Sequence, residues 1–152
     1  MVKNPFYKQN EGRLAKDPPD FFGRLASECW RKVVPFLDAT NKVNRIDVHL
    51  VEMYCTNYEI YRQAYADVQE NGIQTPIYKS VQNQMGAKIG EDFVGFKKNP
   101  AVDIMKNANI QLTSIGLQLG LSPKARQELM AIVSEDKNEK TTAELMKEFL
   151  GK

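Results

Sequence analysis

The sequence predicts a mainly α fold: a long antiparallel helical hairpin with a short β-hairpin or loop inserted between its two arms. Three observations carry this. Residues 45–72 keep a helical period without interruption, and Asn99-Pro100 opens a second periodic segment, 100–119. Between them, residues 73–98 alternate apolar and polar side chains and are broken by Gly86, Gly90 and Gly95.

Residues 1–19 show no periodicity and are expected to form a flexible basic arm. Asp20, after Pro18-Pro19, is placed to cap a helix starting at Phe21, in which Phe22, Leu25, Ala26, Cys29, Trp30, Val33 and Leu37 recur at helical spacing. Pro35 should kink or end that helix. DATNKVN, 38–44, reads as a tight connection that completes a helical region over 20–44. Asn44 then caps the next helix, with Asp47 near the positive end of its dipole.

The long helix should stop at Asn71-Gly72, about 40 Å from its start at 1.5 Å per residue. A small domain has difficulty covering such a rod alone. In 73–98, Ile73, Thr75 and Ile77 and then FVGF at 93–96 give two β-like runs. Asn caps and Pro is tolerated at the first helical position, so Asn99-Pro100 restarts the helix. Its stripe is Ile104, Ala108, Leu112, Ile115 and Leu119, and Gly120 ends it. Ser122-Pro123 begins a helix over 123–133, completing a core of 45–133. In 134–152 a charged linker, SEDKNEK, precedes an amphipathic tail bearing Leu145, Met146, Phe149 and Leu150.

The net charge of +2 conceals segregation. Residues 1–45 hold nine Lys/Arg against five Asp/Glu, and residues 46–72 hold one against five. Residues 73–99 hold four against two. A basic first third suggests a phosphate-facing end, with solvated charge that meets no partner as the alternative; its candidate contacts, to DNA if the phosphates are those of a nucleic acid, are Lys3, Lys8, Arg13, Lys16, Arg24, Arg31, Lys32, Lys42 and Arg45. Lys79, Lys88, Lys97 and Lys98 of the insertion are the alternative set. No apolar run suits a signal peptide or a membrane span. Cys29 and Cys55 lack metal-site spacing and read as reduced thiols.

Catalytic groups are sparse. His49 is the only histidine and has no HxxxH or HExxH partner, and no phosphate-loop or dinucleotide signature occurs. The expectation is a protein that is not an enzyme and uses no metal or cofactor.

Tyr54, Tyr58, Tyr61 and Tyr65 lie four, three and four apart and so line one face of the long helix. A base-stacking platform would need cations beside them. These tyrosines sit among Glu52, Glu59, Asp67 and Glu70, with Arg62 the one cation, so phosphate is repelled. A half-wet surface shared between core packing and subunit contact suits tyrosine, which combines apolar area with a hydroxyl.

Several stretches, taken in order, resemble the small subunit of tailed-phage terminases. They are Pro18-Pro19-Asp20-Phe21; Ala26, Trp30, Val33 and Leu37; Asp47, Leu50, Tyr54-Cys55, Tyr58, Tyr61 and Ala64; Asn99-Pro100, Ala108 and Leu112; and LGLSPKAR at 119–126. The resemblance spans roughly residues 18 to 130, and the insertion 73–98 is longer than the family usually shows. It implies a non-enzymatic, ring-forming homo-oligomer in the host cytoplasm. Such a protein binds double-stranded viral DNA and passes it to the large terminase, which holds the ATPase and nuclease. The tyrosines would then be the oligomer interface, and the tail residues Leu145, Met146, Phe149 and Leu150 would meet the large subunit. From the residues alone, two other readings stand. One is a helical transcription regulator using 21–37 and 45–71 as a helix-turn-helix; the other is a purely structural oligomer.

Overall fold

The computed structural model describes residues 4–128 and 131. The fold is mainly helical: α1 (Arg24–Thr40), α2 (Val48–Asn71) and α3 (Pro100–Gln118), with one antiparallel pair of strands, β1 (Gln74–Gln82) and β2 (Lys88–Lys98), between α2 and α3. The chain divides into two compact units, residues 1–115 and 116–152.

In the first unit the arm expected to be flexible packs instead. Residues 6–12 form short 3-10 turns, and Asn10, in the left-handed region at φ 52°, donates through Nδ2 to the Arg13 and Leu14 carbonyls. Leu14 is fully buried. The Trp30 indole N–H donates to the Ala15 carbonyl at 3.1 Å, so the largest core side chain has its one polar atom satisfied by the arm. The arm is therefore a strap lying across the base of the helices. Periodicity could not reveal it, because its single anchor, Leu14, does not repeat.

α1 begins three residues later than the sequence predicts. Its N-cap is Gly23, which offers no side-chain oxygen. The Leu25 N–H is instead met by the Glu59 carboxylate of α2, 3.3 Å away, with negative charge at the positive end of the α1 dipole. A Cβ on Gly23 would overlap that carboxylate, coming within 2.7 Å of Glu59 Cδ, so the glycine makes room for a cap supplied by tertiary structure. Nor does Pro35 end the helix. Its missing N–H would have bonded the Arg31 carbonyl, and both residues are exposed, so water serves the carbonyl. α1 continues to Asn41, which turns left-handed at φ 53°.

α1 packs on α2 through Ala26, Cys29, Trp30, Val34 and Leu37, with Val51 and Cys55 opposite. Both thiols are buried in this seam. Interaction with Cys29, with burial, pushes the Cys55 thiol up, so it stays protonated.

The remaining caps follow the sequence. Asn44 and Asp47 form a reciprocal capping box before α2, with the Asn44 N–H 2.9 Å from Asp47 Oδ2. Asn99 Oδ1 accepts the Ala101 N–H at 2.9 Å, and Pro100 takes the first helical position. The stripe of α3 is buried at Ala101, Ala108 and Ile115, whereas Ile104 remains 48% exposed.

In the second unit, Gly120 (φ 73°) and Leu121 return N–H groups to Leu117 and Gly116, a Schellman closure. Ser122 Oγ accepts the Ala125 N–H at 3.1 Å and opens a helix over 123–128. Leu129, Ile132 and Val133, expected inward, lie outside the described residues, as does the whole of 134–152.

A double-mutant cycle tests the tertiary cap. Glu59→Ala should cost about 1 kcal/mol, the usual worth of a helix cap. Gly23→Ala should cost a similar amount alone and close to nothing in the Glu59→Ala background, read from denaturant midpoints. Strict additivity would mean that the two groups do not meet.

Candidate nucleic-acid and subunit interface

The strap carries Lys8, Arg13 and Lys16, all exposed. These three and Arg45 line one open cleft of about 800 Å3, together with Glu11, Asp17 and Asp38. The packing of Leu14 and the Trp30–Ala15 bond hold the backbone under these cations. They are presented by a built surface rather than a free chain, which lowers the ordering cost of gripping a phosphate.

Arg45 differs from its neighbours. Its guanidinium lies 4.6 Å from the centroid of the Phe6 ring, and Nη2 donates to Gln9 Oε1 at 3.4 Å. Both partners belong to the strap, so Arg45 fastens it to the start of α2 through a cation–π contact. A charge count alone does not distinguish such a clamp from a solvated cation.

Arg24, Arg31 and Lys32 stand on the exposed side of α1. Arg24 is engaged by Glu28 at 2.8 Å, one turn on, while Arg31 and Lys32 project into solvent. Lys42 is exposed in the turn after α1. Lys3 lies outside the described residues. The structure thus brings four of the nine basic positions into one cleft and puts three on one helix.

The tyrosine stripe is half-wet along its length. Tyr54, Tyr58 and Tyr61 are half-buried, and Tyr65 is 44% exposed. Tyr61 and Tyr65 stack with centroids 6.4 Å apart, and Arg62 donates to the Tyr58 hydroxyl at 3.1 Å. Burial raises the Tyr54 hydroxyl pKa above its ordinary value, so it remains a neutral donor. Next to the stripe, Ile60 and Ile104 are exposed and border a groove between α2 and the start of α3, floored by Ala64 and Ala101. Exposed apolar side chains therefore come from both α2 and α3 at this groove, with Gln63 and Asp67 beside them.

His49 Nδ1 lies 2.9 Å from Glu52 Oε2 on an exposed turn. Among the described residues no group of three or more His, Cys, Asp or Glu is placed to hold a metal, and no helix is long and apolar enough to cross a membrane. The four predicted tail contacts, Leu145, Met146, Phe149 and Leu150, lie outside the described residues.

No curated protein and no solved structure matches the chain. The family described as phage terminase, small subunit, matches residues 26–136. That match covers α1, the Asn44 capping box, the tyrosine helix, the β insertion and the Asn99-Pro100 start of α3, well over half of the 152 residues, and the chain belongs to the phage terminase small subunit family.

Proposed function

We propose that this chain is the non-catalytic, DNA-recognising component of viral genome packaging. It binds double-stranded viral DNA in the host cytoplasm and delivers it to the large terminase subunit, which supplies ATP hydrolysis and cleavage. The observation that carries the proposal is the strap, where Lys8, Arg13 and Lys16 share one cleft wall within a chain of the small-terminase family. Phosphate contacts need cations open to solvent, and these three are exposed on a packed backbone. Arg31 and Lys32, exposed on α1, are further candidate phosphate contacts.

The proposal includes a ring of identical copies. In it α2 and α3 act as the two arms of a helical hairpin, and the face from Tyr54 to Tyr65 is covered by a neighbour. The half-buried tyrosines and the exposed Ile60 and Ile104 support this, since large aromatic and aliphatic side chains left open to solvent suit an interface. The tail residues Leu145, Met146, Phe149 and Leu150 are assigned to the large subunit, as an amphipathic segment that folds into a partner's groove.

Three measurements test these assignments. DNA affinity should fall steeply with salt, each phosphate contact adding about −0.9 to the slope of log K against log salt. Replacing Arg13 and Lys16, or Arg31 and Lys32, by Ala should flatten the slope by roughly 2, and an unchanged slope would remove that pair from the interface. Tyr61→Asp and Tyr65→Asp should each reduce the mass seen by light scattering, and a wild-type mass would clear the tyrosine face of any role in assembly. Deleting residues 141–152 should leave mass and DNA affinity intact while abolishing stimulation of the large subunit's ATPase; full stimulation by the shortened chain would contradict the assignment of the tail.

A further inference from the structure

The β insertion contributes nothing to the core. No residue of β1 or β2 is buried, and a two-stranded sheet with neither face covered is marginal as a purely structural element. At roughly 3.3 Å per residue the nine residues of β1 reach about 30 Å. The ribbon is not flat, because its register shifts between Ile77 and Tyr78 and again between Val81 and Gln82. Such bulges add right-handed twist, which lets a ribbon follow a groove.

The tip is built rather than loose. Asn83 Oδ1 accepts N–H groups from both Met85 (3.0 Å) and Ala87 (2.9 Å). The Asn83 N–H donates to the Ala87 carbonyl at 3.0 Å, and the Gly86 N–H to the Asn83 carbonyl at 2.9 Å. Gly86 supplies the left-handed φ of 80° that closes the turn. These bonds present one large side chain at the apex: Met85 is 94% exposed.

Charge separates the ribbon from its surroundings. Residues 73–99 hold four lysines against two carboxylates, whereas residues 46–72, the helix from which the ribbon emerges, hold one cation against five acids. Lys88 pairs with Glu91 and Lys98 with Asp103. Lys97 stands opposite Thr75, and Lys79, four residues along β1 from Thr75, stands opposite Asp92, so both lysines project from one face. The aromatic cluster of Tyr78, Phe93 and Phe96 occupies the other face.

We propose that the ribbon Gln74–Lys98 is a DNA-gripping arm that follows a groove of duplex DNA through Lys79 and Lys97 and inserts Met85 as an apolar wedge at a base step. The inference rests on the DNA-binding reading above and adds to it a second contact that deforms the duplex. A cationic ribbon suits phosphates, and an ordered apolar tip suits insertion between bases, a device that unstacks a step and kinks the helix. The competing occupant is a second copy of this chain covering the aromatic face.

The experiment uses the full chain and a duplex of roughly 30 base pairs, labelled at both ends for energy transfer, with 2-aminopurine at a central flexible TA step. Wild-type protein should raise both the energy transfer and the 2-aminopurine emission. Met85→Ser should lose both signals and bind about ten-fold more weakly, with its mass by light scattering and its salt slope unchanged. Lys79→Ala with Lys97→Ala should reduce the salt slope by about 2. Met85 and both lysines are exposed, so these variants keep their packing. Wild-type binding with a Met85→Ser variant that unstacks and bends as fully as wild type would overturn the arm and leave the DNA-binding reading standing. No duplex binding by the wild type would overturn both. Lysine or Met85 variants that change oligomer mass while DNA signals persist would assign the ribbon to subunit contact and overturn the arm.

Discussion

Asn99 is the joint on which the arrangement of the larger unit depends. It is 6% exposed, the one buried polar residue among those described, and every hydrogen-bonding group it has is engaged. Its Nδ2 donates to Asp67 Oδ1 at 2.7 Å and to the Gly72 carbonyl at 2.9 Å. Oδ1 caps α3 through Ala101, and the backbone N–H closes the base of the ribbon on the Ile73 carbonyl at 3.0 Å. One amide therefore fixes the end of α2, the root of the ribbon and the start of α3. Removing it would leave buried donors and acceptors unmet, which costs far more than the bonds themselves contribute. The direction in which the ribbon projects follows from this joint.

A second constraint works at the other end of α2. Glu59, Trp30 and Arg45 each reach across the chain to a group that has no local partner: the Leu25 N–H, the Ala15 carbonyl and the Phe6 ring. Together they seat α1 and the strap on α2. The result is a surface divided by charge, with basic strap and outer α1, acidic and aromatic α2, and a basic ribbon beyond it. That division suits the proposed roles, DNA contact at some places and self-association at others.

Sequence alone determined the helix ends whose chemistry is local. Asn44 with Asp47, Asn99 with Pro100, and Ser122 with Ala125 act within three residues of the ends they cap, so their roles can be read from order and type. The extent of α2 was also legible, because it follows from periodicity and from Gly72, whereas the strands run well past the β-like stretches 73–77 and 93–96 and through Gly90 and Gly95. So was the family, through residues scattered over the same elements. The start of α1, the docking of the strap and the duty of Arg45 were decided only by tertiary structure. Their determinants lie 34, 15 and 36 residues apart in the chain, and no pattern within one segment encodes which carboxylate or ring will arrive there. Pro35 shows the same limit from the other side: the cost of a proline to a helix is smaller where the carbonyl it strands can reach water, and exposure on the outer face of α1 is a property of the packed molecule.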